Sequence, residues 1–458
     1  MVLGCTSTAG KSLLVTALCR WFARRGVDVA PYKAQNMSNN ARVVDGGEIG
    51  VAQWLQARAA GLEPTVDMNP VLLKPEADTR SQVVLAGRSN RELTEMPWRE
   101  RGPYLWPAMI EAYHRLQQRH ELVILEGAGS PAEINLPDQV NNRIVDYANA
   151  NALLVVDIDR GGAFAHLVGT WSLVPESTRA RLAGFVLNKF RGDPTLLAPG
   201  PEAVVERTGM ADVGVLPMLA HELPDEEGAT VRATPPADAP TVAIVRAPYG
   251  SNLDEWYLLA RVAHVRWVTT PGELDGTDMI VLPGSKHVAA DLAWMRQRGL
   301  DGAVARCAAA GTRVLGVCGG AMMLGAAIDD PGGVEGAADG LGVLPLRTTM
   351  DPEKTTRHVR VVVPTLPGPW SAFAGLTIDG YEIRNGAIDG ADCELSPLMW
   401  GRGAVLATTV HGIAESPEFL TALTGIAPPA VLDDTFDQLA DAIDEHLDTG
   451  LIDALTRQ

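Results

Sequence analysis

Long apolar runs are scarce in this 458-residue chain. The longest, 314–328, is broken by glycines and falls short of the ~18 residues that a membrane-spanning helix needs. Positive charge is also in short supply. Thirty-eight Lys and Arg face 56 Asp and Glu, a formal charge of −18, which argues against general binding to nucleic acid or an anionic membrane. It leaves room for a small basic pocket around a small anion. Cysteine is sparse, with residues 5, 19, 307, 318 and 393 forming no C-x-x-C pair and no cluster with histidine. That pattern argues against a disulfide framework or a zinc site and points to reduced cytoplasmic thiols. No apolar leader precedes the polar, Gly-rich sequence that starts at Gly4, which again fits a cytoplasmic protein.

What is present reads as soluble globular α/β protein, 46% hydrophobic and 21% charged, and too long for one ordinary core. Short apolar runs at 27–32, 122–126, 153–158 and 184–188 alternate with amphipathic stretches, the pattern of a parallel sheet covered by helices. The segment EEGATVRATPPADAP (226–240) loses all periodicity and reads as a linker. A second α/β series follows, with runs at 241–245, 279–282 and 313–317. The expectation is two doubly wound domains, 1–225 and 241–458. Near the end, Phe436, Leu439, Ala440, Ile443 and Leu447 fall on one face of a closing amphipathic helix.

The first chemistry-bearing motif is Gly4-Cys-Thr-Ser-Thr-Ala-Gly10-Lys11-Ser12, followed by an apolar helical stretch at 13–21. Glycines let the backbone turn tightly, so that its N–H groups and the helix N-terminus face phosphate oxygens. Lys11 would neutralise the terminal phosphates of ATP, and the Ser12 hydroxyl would meet Mg²⁺. The loop is one residue longer than G-x4-GK[ST] and resembles that of the dethiobiotin synthetase-like branch of P-loop proteins. Only three residues precede Gly4, so either the first strand is short or residues stand upstream of Met1. Asp45 and Glu126 are the candidate carboxylates for Mg²⁺. Glu126 is the stronger, because it ends an apolar strand before a Gly turn, at the edge where doubly wound sheets bind ligands. Asp45, before Gly46-Gly47, also reads as a turn former. Asn188 would present its amide to the adenine edge.

The second motif is Cys318-Gly319-Gly320, at the end of an apolar run and leading straight into a helix. This is a nucleophile elbow, with small neighbours that permit the strained turn. The helix N-terminus favours thiolate, and the Gly319 N–H faces a developing oxyanion, with a second donor expected at Gly284. The other four cysteines read as buried structural residues. A thiolate needs a histidine to protonate leaving ammonia, and the second series offers His264, His287, His358 and His411. His411 ends an apolar run late in the series, as a catalytic histidine should. His358, flanked by Arg357 and Val359 in a charged segment, reads as solvated.

Taken together, PYKAQNMSNN (31–40), DGGEIGVAQWLQARAAG (45–61), MNPVLLKP (68–75), EGAGSPAEINL (126–136), DIDRGGAFAHLVGT (157–170), LPGSKH (282–287), GVCGGAMMLG (316–325) and GYEIRNG (380–386) resemble the cobyric acid synthase family over nearly the whole chain. The resemblance implies a class I glutaminase feeding ammonia to an ATP-dependent synthetase that amidates the b, d, e and g carboxylates of adenosylcobyrinic acid a,c-diamide. It implies that Cys318 and His411 are the catalytic pair, and that Lys11 and Ser12 hold ATP and Mg²⁺, with Gly10 in the same loop. Class I glutaminases usually carry Glu two residues after the histidine. Here that position is Ile413, and the nearest acid, Glu415, is the candidate third member. Thr8 stands where the family more often has Asp. Lys33, Gln35, Asn36, Lys74, Arg80 and Arg160, in or beside these stretches, are candidates for holding the corrinoid polycarboxylate, with surface ion pairing as the plainer role for the charged ones. Two other readings stay open: an amidotransferase acting on cobyrinic acid or a cell-wall precursor, and a non-enzymatic P-loop switch protein. A homo-oligomer is compatible with all of them.

Overall fold

The computed structural model of the chain describes all residues except 78, 136–139, 222, 225–233, 367, 430–431 and 457–458. The first part of the expected linker, 226–233, therefore lies outside the described residues, as does Leu136. The first half is built on β1 (Val2–Gly4), β2 (Val29–Tyr32), β3 (Leu122–Leu125), β4 (Ala152–Asp157), β5 (Leu182–Phe190) and β6 (Ala211–Pro217). β2 pairs with β3, a parallel bridge joins Val2 to Glu126, and β1, β4, β5 and β6 continue side by side. The result is one parallel sheet in the order β2-β3-β1-β4-β5-β6. Alternate residues feed opposite cores. Val2, Val29, Ile124, Leu153, Val155 and Val186 pack on one face, while Leu3, Leu154, Val156, Phe185 and Leu187 pack on the other.

The second half has a seven-stranded sheet in the order β8-β7-β9-β10-β13-β12-β11. Its strands are β7 (Thr241–Val245), β8 (His264–Val268), β9 (Met279–Leu282), β10 (Arg313–Val317), β11 (Glu394–Ser396), β12 (Met399–Arg402) and β13 (Val405–Thr408). The five from β8 to β13 in that order are parallel, and β12 and β11 add antiparallel. Here too Val242, Ile244, Val281 and Leu315 face one core, and Ala243, Val245, Ile280 and Val314 the other. A long antiparallel hairpin, Arg347–Val362 with Thr377–Asp389, projects from this half toward the first. Two doubly wound α/β units are thus observed, as expected.

The chain's end departs from the expected grouping of 241–458 in one unit. Helix α2 (Leu432–His446) buries Phe436, Leu439, Ala440 and Ile443 against Leu14, Leu18, Trp21 and Phe22 of α1 (Lys11–Arg24) in the first half. Charge supports the docking. Arg20 meets Asp437 at 2.8 Å, Arg24 meets Asp441 at 2.7 Å, and the Trp21 indole N–H donates to Asp444 at 2.7 Å. Amphipathicity reports that a face is buried, not against which partner. Among the described residues, no helix is long and apolar enough to cross a membrane.

Candidate active sites

The phosphate loop joins β1 to α1, and Lys11 and Ser12 open that helix. Gly10 takes φ 98°, and a side chain there would come within 2.0 Å of the Asn188 amide. Glu126, at the end of β3, gathers the site. Its Oε1 accepts from the Ser12 hydroxyl and the Lys33 ammonium, both at 2.7 Å, and its Oε2 accepts from Gln56 Nε2 at 2.6 Å. Burial works against the carboxylate's charge, but Lys33, Gln56 and Ser12 outweigh it and hold Glu126 below its ordinary range. The Ser12 oxygen in the first turn of α1 and the Glu126 oxygens at the end of β3 are hard donors side by side, a fit for Mg²⁺, which takes few protein ligands and completes its shell with phosphate and water.

Two further candidates take different places. Asp45 is exposed at the tip of the hairpin formed by Ala41–Val44 and Gly47–Gly50 and bridges to Thr65, the place of a turn former, whereas Glu126 accepts from the Ser12 hydroxyl. The Asn188 amide donates to the Ala9 carbonyl at 2.8 Å and braces the loop. Sequence reasoning passed over Lys189, which adopts φ 62° and donates to the Thr8 carbonyl at 2.7 Å and to Asp157 Oδ2 at 3.0 Å. Arg160 joins the same rim, donating to the Thr8 hydroxyl at 3.0 Å. The threonine at position 8 thus has a cationic partner of its own.

In the second half, the carboxyl ends of β7, β9, β10 and β13 converge. Cys318 follows β10 with φ 52° and ψ −107°, a conformation that costs a side-chain-bearing residue about 1–3 kcal/mol and marks an elbow. Its N–H donates to the Thr408 carbonyl at 2.8 Å, fixing the turn against β13. A Cβ on Gly319 would meet the Ser285 backbone nitrogen at 2.6 Å, and one on Gly284 would meet His411 Cε1 at 2.9 Å. The two expected oxyanion segments and the histidine therefore enclose one small space above the thiol. Ser285 donates to the buried Asp291 at 2.6 Å, which anchors that loop.

His411 is 1% exposed and meets both the Cys318 thiol and a carboxylate, though not the expected one. Its Nδ1 lies 3.2 Å from Glu255 Oε1, and Glu255 Oε2 accepts from the Gly412 N–H at 2.7 Å. Glu415 instead pairs with Arg42 of the first half. The carboxylate on His411 is thus Glu255, in the short helical turn Leu253–Trp256 after β7, while Glu415 ends the short helix Ile413–Glu415 and reaches Arg42. Burial alone would strip the His411 proton. Glu255 and Cys318 outweigh it and push its pKa up to about 10. Among the described residues, the cavity over Cys318 measures 460 Å³ including its open mouth and takes walls from both halves, with Lys74 from the first and Lys286, Lys354 and Asn385 from the second.

Two family models divide the chain as the sheets do. A CobQ/CobB/MinD/ParA nucleotide binding domain matches residues 1–227, and a CobB/CobQ-like glutamine amidotransferase domain matches 241–419. Similar curated proteins include a cobyric acid synthase of Variovorax paradoxus (strain S110), 54% identical, covering 99% of this chain and 98% of the relative. Another, from Paracidovorax citrulli (strain AAC00-1), is 54% identical and covers 98% and 96%. The chain belongs to the cobyric acid synthase family. It is an amide-forming ligase with a nucleotide-binding half and a glutamine amidotransferase half.

Within this cobyric acid synthase framework, the six candidate substrate residues separate. Lys33 is committed to Glu126, and Asn36 donates to Gln53 at 3.1 Å. Lys74 donates to the buried Glu48 at 2.6 Å, which Lys354 meets from the other half. Burial lowers the Lys354 pKa to about 7. Lys33, Asn36 and Lys74 thus each hold a partner within the protein. Gln35 lines a cleft of 860 Å³, open mouth included, with Trp98, Arg99, Trp106, Ala128 and Ser130 among its walls. Arg80 lines the adjoining hollow, which shares Trp98 and Arg101 with the cleft.

Proposed function

We propose that this chain uses ATP and glutamine to amidate the b, d, e and g carboxylates of adenosylcobyrinic acid a,c-diamide, giving cobyric acid. The observation that carries the reading is the pairing of Cys318 and His411 in a cavity whose wall includes Lys74 of the nucleotide-binding half, with Glu255 buried behind His411. Cys318 sulfur attacks the glutamine side-chain carbonyl, and the oxyanion is received by the backbone amides near Gly319 and Gly284. His411 gives its proton to the departing ammonia, then takes one from the water that cleaves the glutamyl thioester, while Glu255 stabilises the imidazolium. In the other half, Lys11 offsets charge at the transferring phosphoryl group as an acceptor carboxylate becomes an acyl phosphate. Mg²⁺, held by Ser12 and Glu126, would screen the phosphate oxygens. Ammonia then displaces phosphate to leave the amide.

The cleft lined by Gln35, Trp98 and Trp106 suits the acceptor. It joins apolar ring faces to the cations Arg99 and Arg101, and its Ala128–Ser130 wall touches the phosphate loop, since a Cβ on Gly129 would lie 3.8 Å from the Ser7 hydroxyl. A macrocycle bearing several carboxylates needs that combination. Incubation with ATP, glutamine and the a,c-diamide, followed by mass detection, tests the proposal. It predicts four successive one-amide products. Turnover of cobyrinic acid instead, or no product beyond one amide, would overturn it.

A further inference from the structure

We propose that Arg42, a side chain of the nucleotide-binding half, is a positioning residue for glutamine hydrolysis: it holds the segment and the aromatic ring that orient His411. The inference rests on the glutaminase reading above. Arg42 lies on the strand Ala41–Val44 and is 4% exposed. Its Nη2 donates to both Asp254 and Glu415 of the other half, and its guanidinium carbon sits 5.6 Å from the centre of the Tyr381 ring.

Residues 252–255 show what this contact controls. Asn252 exchanges 3.3 Å hydrogen bonds with both the N–H and the carbonyl of Ala41. The Leu253 N–H donates to Asn40 Oδ1 at 3.0 Å, and Asp254 accepts from Arg42. Glu255 then accepts from Gly412 and holds His411. Three consecutive residues are thus fixed by 40–42, and the fourth fixes the histidine. The second face of the imidazole is set from the same source. Tyr381 stacks on His411 with centroids 5.5 Å apart and planes at 17°, and the Tyr381 hydroxyl accepts from Asn252 at 3.1 Å.

Charge makes Arg42 necessary as well as close. Asp254 and Glu415 place two carboxylates on one guanidinium, and Glu255, 0% exposed, is a like-charged neighbour of both. Without it, the like charges beside Glu255 are relieved only by protonation or by movement of the loop. The strand carrying Arg42 returns as Gly47–Gly50 into helix Val51–Ala59, whose Gln56 donates to Glu126. One continuous segment therefore touches the Ser12–Glu126 site and the holder of His411.

The test uses the full-length chain and steady-state glutamine hydrolysis in Arg42→Ala and Arg42→Lys. Arg42→Lys keeps the buried charge but loses the planar fork and the stacking on Tyr381, so it carries the test if the alanine variant does not fold. Misplacing His411 predicts a kcat loss of about ten- to a hundredfold in Arg42→Ala, with KM for glutamine within about twofold and Arg42→Lys intermediate. Amidation driven by ammonia, which bypasses His411, is retained. Wild-type kcat in Arg42→Lys, or a loss confined to KM, would overturn the inference. Absence of Cys318-dependent hydrolysis in the wild-type chain would instead refute the glutaminase reading on which it rests.

Discussion

Replacing Glu255 with glutamine is the sharpest perturbation of the hydrolytic site, because it removes one charge and almost no volume. Both carboxylate oxygens are engaged, at 3.2 Å with His411 Nδ1 and 2.7 Å with the Gly412 N–H. Raising His411 from 6.5 to about 10 corresponds to about 5 kcal/mol, at 1.36 kcal/mol for each tenfold change in proton affinity. Cys318 shares that effect. Assigning half to Glu255 gives about 2–3 kcal/mol, or about a hundredfold in kcat, if imidazolium stabilisation is fully expressed in the transition state. The pH profile should move as well. With Glu255 present, His411 keeps its proton until pH approaches 10; in Glu255→Gln the alkaline limb shifts downward. The sign for stability is the same. The raised affinity favours the folded state fully below the unfolded value near 6.5, and that contribution is lost as pH rises through about 10. Glutaminase kinetics between pH 6 and 10 provide the assay, with Glu415→Gln as comparison. A Glu255→Gln enzyme within about twofold of wild type, alongside a larger loss in Glu415→Gln, would refute the assignment.

Three further outcomes are expected. Lys11→Ala abolishes amidation with either glutamine or ammonia but leaves basal glutamine hydrolysis, measured as glutamate released without acceptor. Glu126→Ala removes the buried carboxylate that accepts from Ser12, Lys33 and Gln56, and lowers unfolding free energy by about 3–5 kcal/mol in urea titrations. Phe436→Ala, at 1% exposure on α2, costs about 3–5 kcal/mol, and the loss appears first in the nucleotide-binding half, followed through Trp21 fluorescence.

Much of this was readable before any coordinates, for physical reasons. Strands β7, β9 and β10 match the apolar runs residue for residue, because a strand covered on both faces must be apolar throughout. The elbow and the phosphate loop were legible because backbone strain and close approach demand glycine at fixed neighbouring positions. Glu255 was not. It lies 156 residues before His411, and only the return of β7 and β13 to one sheet edge makes them neighbours. The available signal was the acid pair Asp254-Glu255 just past the first strand of a doubly wound unit, where ligand-facing loops lie. The hairpin Arg347–Val362 escaped notice because much of it is exposed, so no apolar alternation marks it. Arg42 carries no motif of its own, and its partners Asp254 and Glu415 lie 212 and 373 residues further along the chain.

The central claim is that ammonia made at Cys318 is consumed at a separate site beside Lys11. Cys318→Ala, assayed for amidation with glutamine and then with ammonium salt at alkaline pH, tests it directly. Glutamine-dependent product should vanish and ammonia-dependent product persist near the wild-type rate. Loss of both with the fold intact, or survival of glutamine-dependent amidation, would contradict the two-site account.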